Sequence, residues 1–117
     1  MQYRLACVAN TIEDLGGEIF SENCLWDMAG SVDSIPVEVE FEVEVGTAWD
    51  FIVSNSELQC KIEVAEYVDL DGVYPVVKFM YKGLIDGEYV GMRLLSVGLT
   101  RKPASIGTWM KEYDQLD

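Results

Sequence analysis

The chain has 117 residues, half of them apolar, which is the composition of one globular domain, 1–117, and not of a disordered protein. Its 21 acidic and 8 basic residues give a formal net charge of −13, which argues against direct binding to nucleic acid or to an anionic membrane. Its apolar runs are far shorter than the ~20 residues of a membrane span, and its N-terminus lacks a signal-peptide pattern. We therefore expect a cytoplasmic protein, or a virion-associated one made in a bacterial cytoplasm.

The first third of the chain predicts a strand, a turn and a helix. Residues 2–9 alternate loosely between apolar and polar, and the glycines of the EDLGGE stretch that follows supply a turn. A helix is expected at about 22–30, because Ser21 can cap its first turn and Glu22 suits its positive N-terminal end. Its apolar stripe has helical spacing and consists of Leu25, Met28, Ala29 and Val32.

The stretch IPVEVEFEVEV, at 35–45, alternates strictly and predicts one half-buried strand. Pro36 is tolerated at its start, where a missing amide donor costs little. Gly46 and Thr47 predict a short break, after which 48–53 continues as strand. The polar side of this strand is a row of glutamates: Glu38, Glu40, Glu42 and Glu44.

The second half of the chain consists of strands and turns. Further strands are predicted at 58–64, 73–85 and 89–100, with turns at 54–57, 69–72 and 85–88. Several strands are joined by short turns, which favours antiparallel pairing. The predicted fold class is therefore a β-rich α+β domain: a small antiparallel sheet or barrel of about six strands, with the one helix packed against it.

The glutamate row allows three interpretations. Same-face residues on a strand lie roughly 6.6–6.8 Å apart, so adjacent carboxylates hold no small cation unless a second strand contributes ligands. A metal site is therefore the least favoured interpretation. A surface for a basic partner is the second. The favoured interpretation is the wet face of a strand whose other face builds the core.

Motifs of catalytic and cofactor sites are not found in the sequence. The chain has no histidine, which removes Ser-His-Asp, Cys-His and His-zinc sites. The DLDG stretch, 69–72, resembles the start of a calcium loop, but the fifth and twelfth positions are Val73 and Met80, so we interpret it as a hairpin turn. A Ser-Lys arrangement using Ser96 is supported by no spacing. We expect no enzyme activity, cofactor or metal.

The three cysteines, Cys7, Cys24 and Cys60, form no C-x-x-C pair. Two of them stand at apolar positions of the pattern. We expect all three to be reduced and buried.

Two stretches, GGEIFSENCLWDMAGSVDSIPVEVEF at 16–41 and LLSVGLTRKPAS at 94–105, together make up about a third of the chain. They resemble the prohead (capsid maturation) protease family of tailed bacteriophages and short phage proteins similar to it. The residues that match the family pattern are Gly17, Glu18, Ile19, Ile35, Pro36, Val37, Ser96, Val97, Leu99, Pro103 and Ala104. The family's catalytic histidine is expected on the strand after "I-P-V", where this chain has glutamates and Phe41. The resemblance therefore implies a protease-like β-barrel without the proteolytic site.

The resulting hypothesis is a non-catalytic phage or mobile-element protein that acts by protein–protein contact, in a structural or assembly role, on a protein partner or on itself. The predicted partner surface comprises Glu38, Glu40, Glu42, Glu44, Trp49 and Trp109, with Tyr67 and Tyr74 as further aromatic candidates. Most of these four aromatic residues are expected in the core. Two alternatives stay open: an acidic inhibitor that imitates nucleic acid and blocks a DNA-handling enzyme, and a small-molecule-binding β-barrel.

Overall fold

The computed structural model describes residues 1–32, 36–41 and 44–113. Its elements in chain order are β1 (Gln2–Asn10), α1 (Glu22–Ser31), β2 (Val37–Phe41), β3 (Glu44–Ser54), β4 (Glu57–Val64), β5 (Tyr74–Met80), β6 (Gly83–Ile85), β7 (Glu88–Val90), β8 (Arg93–Thr100) and β9 (Trp109–Glu112). Seven strands form one sheet in the order β5-β8-β2-β3-β4-β1-β9, and β6 pairs with β7 in a separate hairpin. Only the β2–β8 pair is parallel among the pairs in the described part of the chain.

The sheet curls into a half-barrel with the single helix against it, which confirms the predicted fold class. The described residues contain nine strands where the sequence predicts about six. Two of the additional strands arise where single predicted stretches are divided: 73–85 contains both β5 and β6, and 89–100 contains the end of β7 and all of β8. The third is β9, in a part of the chain where no strand was predicted. Gly91 adopts a positive φ of 65° between β7 and β8, which ends one strand before the next begins.

The helix forms where its cap and its stripe predict it. The Ser21 hydroxyl accepts a hydrogen bond from the Cys24 amide at 3.2 Å, which satisfies one of the free amides of the first turn. Cys24, Leu25 and Met28 are buried against the sheet. No helix within the described ranges is long and apolar enough to cross a membrane.

The core lies between the helix and the concave side of the sheet. β4 shows the pattern most clearly, because Leu58, Cys60, Ile62 and Val64 are buried while the residues between them are only partly covered. Register partners share a face of the sheet, so Ala6 and Ala48, opposite Cys60 and Ile62, also point inward. The side chains that alternate with these positions, such as Leu5 and Lys61, point to the convex, outer side.

Two of the predicted turns are tight hairpin turns. Asn55 and Ser56 join β3 to β4, and Asp86 and Gly87 join β6 to β7, each with positive φ at both residues. The third, at 69–72, was predicted as a hairpin turn, and this is wrong. β4 and β5 are not neighbours in the sheet, so the turn lies in a crossing connection, where the Val73 amide donates to the Leu70 carbonyl at 3.2 Å.

The predicted continuous strand at 35–45 is also wrong. Phe41 and Glu44 are register partners of two antiparallel strands, so the reversal falls inside the E-V-E-V pattern and not at Gly46 and Thr47. Gly46 lies within β3, where an added Cβ would overlap the main-chain oxygen of Glu63. Glycine is needed there for close strand packing, and this is why it was mistaken for a break.

Candidate functional site: the outer face of the sheet

The outer face of the sheet has two regions of different chemistry. We call the outward side chains of β2, β8 and β5 the glutamate half. We call the second region the aromatic half. It consists of two transverse rows of outward side chains on β3, β4, β1 and β9, which are described below, together with Tyr3 and Tyr113. The sequence-predicted partner surface is divided between these two regions.

The glutamate half contains the exposed residues Glu38 and Glu40. Glu40 lies opposite Gly98 of β8, and across that bare position its carboxylate reaches the Lys78 ammonium of β5 at 3.1 Å. Glu44 belongs to β3 and pairs with Phe41, so it does not continue the line of Glu38 and Glu40. Glu42 lies outside the described residues. The predicted row of four glutamates on one strand is therefore wrong.

The aromatic half is built by strand register. One transverse row runs Trp49, Lys61, Leu5 and Lys111, and the next runs Ile52, Gln59, Cys7 and Trp109. An antiparallel sheet normally has polar residues on its solvent side. Here four of the eight positions in the two rows hold a tryptophan, leucine or isoleucine side chain.

A β-bulge brings Ile52 onto this face. The register shifts between Trp49 and Ile52, so Asp50 and Phe51 together oppose a single residue of β4. Asp50 takes a positive φ of 53°, and Phe51 turns inward against the core. Ile52 is consequently on the outside, where 54% of it is exposed. Without the extra residue, Ile52 would share the inward face of Ala48.

Stacked rings and cations hold the aromatic half together. The rings of Tyr3 and Trp49 meet edge to face with centroids 6.4 Å apart. The Lys61 ammonium lies 5.0 Å from the Tyr113 ring centroid and 3.3 Å from the Asp50 carboxylate. Its hydrogen bond with Tyr113 and the Asp50 carboxylate raise the pKa of Lys61. A depression of about 320 Å³ lies in this surface, lined by Leu5, Asp50, Phe51, Ile52, Gln59, Cys60 and Lys61.

Cys7 is fully buried on the outer side, beside its register partner Trp109. The Trp109 indole donates to the Glu57 carboxylate at 3.0 Å. Burial, followed by the charge of Glu57, raises the pKa of the Cys7 thiol from 9.0 to about 12. Burial also raises the pKa of Cys60 strongly. Both thiols therefore stay protonated at neutral pH, which makes them poor nucleophiles.

All three cysteines are free and buried, as predicted. Ser96 lies opposite Lys78 in the β5–β8 register, but the Lys78 ammonium is ion-paired with Glu40. An ion-paired ammonium does not act as a base for a serine. No group of three or more acidic or cysteine side chains in the described ranges is placed to hold a metal ion.

Trp49 and Trp109 both lie in the aromatic half of the outer face, whereas Glu38 and Glu40 lie in the glutamate half. None of the four aromatic candidates is in the core: the two tryptophans are half-buried on the outside, and Tyr67 and Tyr74 are exposed. The expectation that most of them are core residues is wrong.

Sequence reasoning also missed several members of the aromatic half: Tyr3, Leu5, Ile52, Lys61 and Tyr113. One signal was present, because Tyr3, Leu5 and Cys7 are apolar at alternate positions whose neighbours Ala6 and Val8 are apolar too. A strand that is apolar on both sides is covered on both sides.

No protein-family model, no curated protein and no solved structure matches this chain, so the resemblance to the prohead protease family stays a prediction.

Proposed function

We propose that this chain is a non-catalytic protein that acts by protein–protein contact, in a structural or assembly role, through its aromatic half. The observation that supports the proposal is the pair of transverse rows on the outer face. Trp49 and Trp109 lie at or near their ends, and Ile52 is exposed beside them. Tryptophan and tyrosine are the residue types that contribute most to protein interfaces.

The partner that this surface suits first is a second copy of the chain. Two copies with a net charge of −13 repel each other, so they associate best through a face where cations offset acids. The aromatic half has Lys61 and Lys111 among its rings, with Asp50 next to Lys61. A two-fold contact would place each lysine near the partner's carboxylates while the apolar rows cover one another.

Sedimentation velocity over a range of concentrations, at low and high salt, tests this assignment. We expect a dimer that persists at high salt, because apolar contact is not screened. Ile52→Glu should make the protein monomeric. The matched control is Val45→Glu, on the same strand but opposite Glu40 of the glutamate half, where 59% of the residue is exposed and the charge change is identical. It should leave the dimer intact.

Two results would overturn the assignment. One is a wild-type chain that is monomeric throughout. The other is association that survives Ile52→Glu but is lost in Leu84→Glu, since Leu84 is exposed near the tip of the β6–β7 hairpin. That result would move the contact from the aromatic half to the hairpin.

The inhibitor that imitates nucleic acid receives less support from the geometry. Such a protein needs an ordered array of free carboxylates, whereas Glu40 is paired with Lys78 and Glu44 lies on a different strand. A phage or mobile-element origin is implied by the sequence resemblance alone.

A further inference from the structure

The two edges of the curled sheet approach each other without joining. Within the described residues, β5 hydrogen-bonds only to β8, and β9 only to β1, yet β5 packs near both β1 and β9. Each edge therefore presents a row of main-chain donors and acceptors to the gap. A cleft of about 290 Å³ lies there, which we call the seam cleft, lined by Arg4, Leu70, Asp71, Gly72, Val73, Tyr74, Trp109 and Met110.

Arg4 is the one basic side chain in the lining. Its register partner in β4 is Ile62, so it points to the inner side of the sheet, and 21% of its side chain is exposed. Its Nη2 donates to Oε1 of the Gln2 side chain at 3.0 Å. The Gln2 amide is itself held by the main-chain oxygens of the connection at 65–68. The neutral Gln2 side chain therefore orients the guanidinium of Arg4.

The charge of the guanidinium is only weakly balanced within the described residues. Its ion pair with Glu112 is 3.7 Å long at Nη1, longer than a hydrogen bond, and 86% of the Glu112 side chain is exposed. The Nε of Arg4 is buried and has no acceptor. A largely desolvated cation with an unsatisfied donor is costly, and a carboxylate is the group whose geometry fits the planar donor fork.

We propose that the seam cleft binds a carboxylate attached to a small apolar body, with Arg4 as its anion partner. Tyr74, Trp109 and Met110 supply apolar and aromatic wall for that body. The unsatisfied Nε and an Nη of Arg4 are the pair of donors that would bind the two carboxylate oxygens. The carboxylate belongs either to a free organic acid or to the C-terminus of a peptide laid along an edge strand.

Asp71 provides a second variant with which to test carboxylate binding in the seam cleft. It lies at the exposed rim of the cleft, and its main-chain oxygen accepts a hydrogen bond from Arg101. Its negative charge opposes a bound carboxylate. Asp71→Asn should therefore tighten carboxylate binding by about twofold to fivefold, whereas Arg4→Gln should weaken it about tenfold or more.

The test is a titration of the full chain with indole-3-acetate, followed by ¹H–¹⁵N NMR at the Arg4 Nε and Trp109 indole resonances. The matched control ligand is indole-3-acetamide, which has the same body without the charge. A second pair, acetyl-Gly-Phe and its amide, represents the peptide C-terminus. We expect saturable shifts with the acids and none with the amides. Whichever acid binds more tightly identifies the source of the carboxylate.

Equal binding of acid and amide would overturn the proposal, as would the lack of saturable shifts with both acids. Unchanged binding in Arg4→Gln would also overturn it, provided that circular dichroism shows the variant to be folded. If Arg4→Gln does not fold, the acid–amide pair on the wild-type chain decides the question alone. Trp109 borders both regions, but Ile52 belongs only to the aromatic half and Arg4 only to the seam cleft, so separate variants test dimerisation and carboxylate binding.

Discussion

The glutamate half and the aromatic half lie on the same side of one continuous sheet, and both are opposite the same core. In the glutamate half, the charged residues Glu38, Glu40 and Lys78 lie on strands that also carry exposed apolar residues, such as Leu95 and Met80. In the aromatic half, rings and aliphatic groups pack around Lys61 and next to the buried Cys7. Alternation along a strand thus determines which side chains face the core, but it does not determine that the opposite side is wet.

The largest effect is expected at the joint between the two halves. Gly46 pairs with Val39 on one side and with Val64 on the other. Gly46→Ala forces a Cβ onto the Glu63 main-chain oxygen and should lower the free energy of unfolding by about 2–4 kcal/mol. Urea unfolding measures the change.

Gly30→Ala is the control for the same chemical change. An added Cβ at Gly30 meets nothing within 4 Å, and the residue is helical. This variant should be more stable than wild type by about 0.5–1 kcal/mol. A Gly46→Ala variant as stable as wild type would show that the two halves are not packed as closely as described.

The second effect concerns the layer over Cys7. Trp109→Ala removes the register partner of Cys7 and should cost about 2–3 kcal/mol. It should also speed labelling of Cys7 by a thiol reagent, with the labelled site identified by mass spectrometry. Trp26→Ala removes an exposed tryptophan from the helix and should leave Cys7 as protected as before. Equal labelling in both variants would contradict the covering role of Trp109.

The third effect is a dependence of the free energy of unfolding on pH, and it arises from the buried Cys7 thiol of the aromatic half. The pKa of Cys7 is raised from 9.0 to about 12 in the folded state, mainly by burial and then by Glu57. Above pH 9 the unfolded thiol ionises while the folded one stays protonated. Its contribution to stability is therefore complete below pH 9 and decreases by about 1.4 kcal/mol per pH unit above it.

Denaturant unfolding between pH 8 and pH 10.5 measures this slope. Cys7→Ala should reduce it, whatever its constant cost, because one titrating group is removed. Glu57→Gln should lower the pKa of Cys7 and move the start of its ionisation in the folded protein downward. A Cys7→Ala variant whose stability falls as steeply as that of wild type would contradict the burial of this thiol.

The smallest effect is expected in the glutamate half. Lys78 and Glu40 form an ion pair in which both side chains are about half exposed. Lys78→Ala should therefore change the free energy of unfolding by less than about 0.5 kcal/mol, and added salt should abolish the difference. A loss above 1 kcal/mol would mean that this half also has a packed layer, and it would remove the contrast between the halves.

Local signals in the sequence predicted the parts of the fold that depend on local chemistry. Ser21 caps the helix as expected, and the Asp86-Gly87 pair forms its hairpin turn. The reversal between Phe41 and Glu44 was missed because the alternation continues through it, with no glycine, proline or asparagine to mark a turn. The bulge at Asp50 was missed as well, since a register shift depends on the partner strand.

The candidate site could be predicted only in part for a related reason. Trp49 and Trp109 are sixty residues apart, and only the order β3-β4-β1-β9 brings them to one face. Strand order and curl are long-range properties, and the alternation of one strand contains no information about its neighbours. The Arg4 environment is hidden for the same reason, because the seam forms only when the first and last strands meet the edge of β5.

The position of β1 in the sheet has a consequence for biosynthesis. β1 leaves the ribosome before the other described strands, yet its partners are β4, through pairs such as Gln2 with Val64, and β9, which follows all the other strands. During translation β1 has no sheet partner until β4 has emerged. Its apolar faces are then open to chaperones or to wrong pairing, and the final sheet closes only after synthesis of β9.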